Sequence, residues 1–337
     1  MAPTNGLRWA CRSLALVFLA LAGCAGAPRF EAPLDSTIEL RDVPFFPQTD
    51  YQCGPAALAT ILSYEGVPVT PDDLTAAVYI EGLRGSLQAE LLAATRRHGL
   101  VPYTLERRPE ALFAALESGK PVLVLQNLGF DRFPVWHYAV VVGYDAERET
   151  VLLRSGTEHR RKERLGRFLK SWRRGDYWAF VTADPANPPK SAKADRWIRA
   201  LADAERVLPR TTMSSAYAAA RARWPDDPLV LYASAVHDGA NGRWEDSARG
   251  YLALLAIEPR HAAARNNLAN MLAEGGCIES ALREAKLALA TIDASSPIRE
   301  AIEDTVASME RLAGENAEEP PHCAALSAVP PPAAERS

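Results

Sequence analysis

The chain has 337 residues, 48% of them hydrophobic and 24% charged, with 38 basic side chains against 42 acidic ones. This is the composition of a globular protein long enough for two domains, and it excludes disordered and fibrous classes. The charge divides as +2 over residues 1–23, −2 over 24–185 and −4 over 186–337, so no part has the basic excess of a nucleic-acid binder.

The first segment in chain order is an address. Arg8 and Arg12 precede Leu14 to Leu21, an apolar run too short to span a bilayer, and small residues follow. That order predicts a secretory signal over residues 1–23. The run ends in Leu21-Ala22-Gly23-Cys24, which resembles the lipobox of bacterial lipoproteins. The resemblance implies cleavage before Cys24, diacylation of its thiol and a linker over 24–35. Acyl chains at about 0.8 kcal/mol per buried methylene would hold the protein on a membrane. Ala25 after the cysteine, by resemblance to the sorting of lipoproteins in enteric bacteria, implies an outer-membrane anchor facing the periplasm. A plain signal peptide with a chance cysteine is the other reading.

The cysteine count follows from this. Of Cys11, Cys24, Cys53, Cys277 and Cys323, the first leaves with the signal and the second carries lipid. There is no Cys-x-x-Cys pair and no zinc-ligand spacing of histidines, so no metal or other cofactor is expected. Cys277 and Cys323 share the C-terminal half, and in an oxidising compartment a disulfide between them is expected to clip the tail onto a helix. Cys53 is then an odd thiol in need of a reason.

The first domain is expected over 36–185. An extended, proline-punctuated stretch (Val43 to Gln48) leads into Tyr51-Gln52-Cys53-Gly54-Pro55-Ala56-Ala57-Leu58. Leu58, Ile61 and Leu62 are spaced for a helix over about 54–65, and Pro55 suits its first turn. Cys53 therefore sits at a helix N-terminus, where peptide dipoles lower a thiol pKa and favour a nucleophile. A buried structural cysteine is the alternative on this segment alone. Farther on, Val122 to Leu125 reads as a buried strand, and Trp136-His137-Tyr138-Ala139-Val140-Val141-Val142-Gly143-Tyr144 as another with His137 at its start. Val151 to Ser155 reads as its hairpin return. Nine basic residues between Arg154 and Arg174 suggest a solvated helix face, or else a surface for anionic lipid or an acidic substrate. Trp172, Tyr177 and Trp178 are expected to pack the core or the domain seam.

The cysteine and histidine segments together resemble the bacteriocin-processing double-glycine peptidases, a papain-like cysteine peptidase family. Gly85-Ser86-Leu87-Gln88-Ala89-Glu90-Leu91, read as a Ser-capped helix start, also looks family-like. The resemblance covers about 36–183 and is greatest to a lipoprotein subgroup in which such a domain precedes tetratricopeptide repeats. It implies that Cys53 is the nucleophile and His137 the proton acceptor. Gln48 would supply an oxyanion donor with the Cys53 N–H, with Gln52 as a rival. One departure is plain. The family's aspartate or asparagine about 17 residues after the histidine is missing from Leu152 to Thr157, which leaves Ser155 as the third member and Asp184 as a distant substitute.

After Asn187-Pro188-Pro189 the sequence repeats at 34 residues: Ala235/Ala269, Gly242/Gly276, Glu245/Glu279 and Leu255/Leu289. This resembles tetratricopeptide repeats, about three over 190–314 with a degenerate first copy (Trp197, Tyr217, Pro225) and a capping helix over 297–313. An irregular Ala/Pro-rich tail over 315–337 follows. The expected whole is an α+β papain-like peptidase domain followed by an all-α repeat domain. Its reading is a lipid-anchored envelope thiol peptidase acting on a peptide or protein, with a protein partner on the array and no nucleic acid. Two rivals are an inactive papain-like fold serving as a binding or assembly lipoprotein, and a thiol acyl or amide transferase. Double-glycine leader cleavage is not implied, because that activity sits with a cytoplasmic exporter.

Overall fold

The computed structural model describes residues 37–47, 52–315 and 319–326. Its first part is a seven-stranded sheet of β1 (Ile38–Glu39), β2 (Val101–Thr104), β3 (Val122–Asn127), β4 (Trp136–Asp145), β5 (Thr150–Ser155), β6 (Glu158–Arg164) and β7 (Ala179–Ala183). The order is β2-β7-β3-β4-β5-β6, every pairing is antiparallel, and β1 adds to β4. β1 crosses where β4 bulges against β5, and a Cβ on Gly143 would stand 2.3 Å from the Ile38 carbonyl oxygen, so only glycine admits it there.

Alternation along the central strands builds two cores. On β3 and β4, Val122, Val124, Ala139 and Val141 face one side, where α4 (Pro109–Glu117) and α5 (Leu165–Arg173) pack. Leu123, Leu125, Val140 and Val142 face the other, against α1 (Cys53–Tyr64), α2 (Pro71–Val78) and α3 (Gln88–Arg97). Both strands are covered on both faces, which is why they read as continuous apolar runs rather than as alternating ones.

Two expectations are corrected. The basic stretch is not one helix face: it is edge strand β6 followed by α5, and Arg154 leaves it altogether. Arg154 is buried at the end of β5 and donates to the carbonyls of Val43, Arg41 and His159. The exposed charges of β6 suit an edge that must not pair with another chain. Ser86 does not cap α3, whose N-cap is Leu87 with no side-chain bond. The 85–86 segment is instead drawn against the start of α1. Trp172 and Trp178 are buried as expected, with the Trp172 indole N–H donating to the Trp178 carbonyl.

The remaining helices are α6 (Ala194–Ala204), α7 (Arg210–Arg223), α8 (Pro228–Ala240), α9 (Trp244–Ile257), α10 (Ala262–Glu274), α11 (Ile278–Thr291) and α12 (Arg299–Glu315). The starts at 194, 228 and 262, and those at 210, 244 and 278, are each 34 residues apart. Three helix pairs and a closing helix therefore follow one period. The first pair is fused to the sheet. Trp197 lies fully buried beside Tyr103, the Lys193 N–H donates to the Tyr103 hydroxyl, and Lys193 also pairs with Glu106. One core thus runs from the sheet through α6 and α7 to Val230 of α8.

At the far end Cys277 and Cys323 form a disulfide, closing a separation of 46 residues. The clipped segment caps α11: the Glu319 carboxylate accepts from the Ser280 N–H at 2.6 Å and its hydroxyl at 3.1 Å. Among the described residues, no helix is long and apolar enough to cross a membrane. The expected signal, the lipobox and its Cys24 lie outside the described residues.

Candidate active site

Cys53 opens α1 directly after the N-cap residue Gln52. Helix bonding begins at Ala56, whose N–H donates to the Gln52 carbonyl at 3.1 Å. The backbone groups of Cys53 and Gly54, together with that of Tyr138 on β4, stand against the sulfur instead. They favour the thiolate, as the helix start leads one to expect. Burial opposes them and wins: the Cys53 thiol is pushed up from its ordinary value. The expected depression is therefore corrected, because these dipoles act at a site that has lost much of its water.

His137 is the second residue of β4 and lines, with Cys53, one open cleft of about 900 Å³. Burial, helped by the positive charge of Arg161, lowers its pKa to about 4. At neutral pH the pair is consequently a thiol and an uncharged imidazole. Ser155, the last residue of β5 and 2% exposed, places Oγ 2.8 Å from His137 Nε2. With the Nε2 proton donated to that oxygen, Nδ1 is the nitrogen free to take a proton. Asp184 does not join this site: its carboxylate accepts the Ala186 N–H. Gln48 lies outside the described residues; Gln52 is described, with no side-chain cap bond.

Three supporting features were missed in the sequence. The Tyr138 hydroxyl donates to the Ser86 carbonyl at 3.1 Å, and a Cβ on Gly54 would stand 2.6 Å from the Ser86 Cβ, so this loop is pressed onto the nucleophile's helix. The Ser86 hydroxyl is itself buried there without a hydrogen bond. Asn127 organises the β3–β4 loop, its Oδ1 accepting from Gly129 and Val135, while Arg174 donates twice to the Asn127 carbonyl. The signal for Asn127 was the second of two amides, after Gln126, ending an apolar strand. Ser86 was singled out only as a helix cap and Arg174 only as one of a basic run, so neither role was legible.

A grouping of Cys277, His322 and Cys323 has its ligand atoms within 4.8 Å, but both sulfurs are joined in the disulfide and neither is a thiolate for a metal.

Residues 40–199 match the Peptidase_C39 like family. The stretch takes in Cys53, His137 and Ser155, and the domain has the papain-like plan of a helix-borne cysteine packed on an antiparallel sheet. Solved structures are similar over the same part. A Bacillus anthracis protein described as a C39-like peptidase is 19% identical, covering 46% of this chain and 100% of its own, with a TM-score of 0.38. A double-glycine motif protease from an AMS/PCAT transporter, solved with the leader peptide, is 19% identical over 46% of this chain and 98% of its own, at 0.34. The peptidase domain of Streptococcus ComA, a bifunctional ABC transporter in a quorum-sensing pathway, is 16% identical over 42% and 98%, at 0.33. No curated protein matches the chain.

Proposed function

We propose that this protein is a lipid-anchored cysteine peptidase of the cell envelope, cleaving peptide or protein substrates through Cys53 and His137. The observation that carries the reading is the single cleft holding both residues, with Ser155 2.8 Å from the imidazole. His137 Nδ1 takes the Cys53 proton as the sulfur attacks the acyl carbon, and the Nε2–H stays on Ser155 Oγ. The imidazolium then protonates the leaving amine, and a water activated by the same nitrogen hydrolyses the thioester. The Cys53 N–H and, on this reading, the Gln48 amide receive the oxyanion, at roughly 3 kcal/mol per donor. Cys24 would carry the lipid, at the outer membrane facing the periplasm. The 34-residue helix pairs would be tetratricopeptide repeats that hold a protein.

Replacing Cys53 by serine should abolish turnover of a peptide library while the thermal transition stays in place; retained turnover would exclude the assignment. A second reading is favoured by two specific facts, the raised thiol and the neutral Ser155 in place of a carboxylate or amide. It makes the domain an inactive fold whose cleft only binds. The wild-type protein cleaving nothing, with the cleft still occupied by peptide, would select it.

A further inference from the structure

Seven of the twelve exposed large apolar side chains among the described residues crowd onto two loops at the cleft. Leu83 and Leu87 stand on one wall. Leu128, Phe130, Phe133, Val135 and Trp136 stand on the β3–β4 hairpin, with Phe130 77% and Phe133 71% exposed. We propose that this hairpin is a membrane-docking tip that inserts into the surface of the bilayer and turns the mouth of the cleft toward it. The proposal rests on the lipid-anchored reading above and adds an orientation to it.

Three observations favour a bilayer over a bound peptide. Val135 and Trp136 line the cleft, but Leu128, Phe130 and Phe133 do not, so a peptide lying in the cleft would leave the most exposed rings bare. The hairpin backbone is also closed on itself. The Leu128 N–H donates to the Val135 carbonyl, Phe130 and Phe133 exchange N–H bonds, Gly129 and Val135 donate to Asn127 Oδ1, and Pro134 has no N–H. Among the hairpin N–H groups only those of Asp131 and Arg132 stand outside this pattern, and the carbonyls of Phe130, Phe133 and Val135 accept within it. A segment entering a low-dielectric interface needs its polar backbone satisfied internally, whereas an ordinary surface loop can leave that to water. Third, twelve residues lie between Cys24 and the first described residue, Thr37. Their full extension is about 45 Å, so a chain anchored at Cys24 keeps this domain within reach of the surface. Lys170 and Arg173 are exposed on the last turn of α5, beside Arg174 of the cleft wall, and would meet anionic headgroups; at the tip Arg132 stands next to Asp131, so the turn itself carries no net charge.

The test uses the full chain in a Cys53→Ser background. Cys277 and Cys323 are joined in the disulfide, so in a lipidated mature chain, whose Cys24 thiol carries the lipid, a polarity-sensitive dye on Phe133→Cys is the sole label; the chain without lipid is read with Cys11 and Cys24 also replaced by serine. The protein is added to vesicles of phosphatidylethanolamine and phosphatidylglycerol, with a Val236→Cys dye on the repeat array as comparison. Docking predicts a shift to shorter wavelength at position 133 and loss of most of its emission to doxyl-labelled lipid, with neither change at 236. Emission at 133 that ignores the vesicles overturns the proposal. So does emission that responds only to an added apolar peptide, which would make the hairpin a substrate rim. The mass of the N-terminal peptide reports lipidation separately. Quenching of a chain without lipid supports the hairpin and removes the anchor, and absence of quenching in a lipidated chain does the reverse.

Discussion

The His137–Ser155 pair sets how the imidazole can work. A hydroxyl accepts the Nε2–H as well as an amide would, but it carries no charge to stabilise an imidazolium, and hydrogen bonds to neutral groups contribute about 1 kcal/mol against about 2 for charged ones. Ser155→Ala should therefore lower kcat about tenfold with little change in KM, while Ser155→Asn, which keeps an acceptor, should preserve it; steady-state kinetics on one peptide decides. The pH profile carries a second expectation. His137 must be uncharged to take the proton, and its pKa is held at about 4, so the acidic limb of kcat/KM should fall near pH 4 rather than near the ordinary 6.5. The thiol is pushed upward, so alkylation of Cys53 in the free protein should be slow at pH 6 and rise only in the alkaline range. Rapid alkylation persisting under acid would show a standing ion pair and overturn this picture. Cys53 and His137 could be singled out in the sequence because each sits at a countable place, a helix start and a strand start, whereas Ser155 came only from the spacing that the family resemblance implies. The thiol's pKa could not, since the burial that decides it comes from loops distant in sequence.

At the scale of elements, the cleft wall depends on close backbone approaches. Gly175 follows α5, and a Cβ there would stand 2.1 Å from the carbonyl oxygen of Leu125, a backbone atom that cannot swing away. Gly175→Ala should destabilise the domain by about 1–3 kcal/mol and reduce turnover, because Leu125 and Gly175 both line the cleft. Chemical denaturation read alongside kinetics separates the two losses. β3, β4, β5 and α1 were legible from apolar spacing almost to the residue, whereas β2 and β7 were not read and β6 was read as part of a helix face. The β3–β4 loop was legible only as a loop, because a phenylalanine in an irregular segment reads equally well as core or as surface. Arg154 misled for the converse reason: a basic residue within a basic run gives no sign that three carbonyl oxygens await it.

Across the whole molecule, stability is unevenly provided. The last helix pair depends on a disulfide that closes 46 residues, for which chain entropy alone gives about 4 kcal/mol. Cys277→Ser should lower the transition of the C-terminal helices by up to that amount and leave cleavage of a short peptide unchanged; a parallel loss of turnover would show that the array props up the cleft. The period of these helices was legible in the sequence. Their fusion to the sheet was not, since nothing in Trp197 itself says that it packs beside Tyr103.

That fusion has a consequence for where a bond would be cut. With α6 and α7 embedded in the same core as the sheet, the first helix pair is fixed to the cleft-bearing domain. Cargo gripped on that pair would meet Cys53 at a constant offset along its own length. The scaffold would then act as a measuring jig, selecting the scissile position by distance from the grip more than by the side chains that flank it.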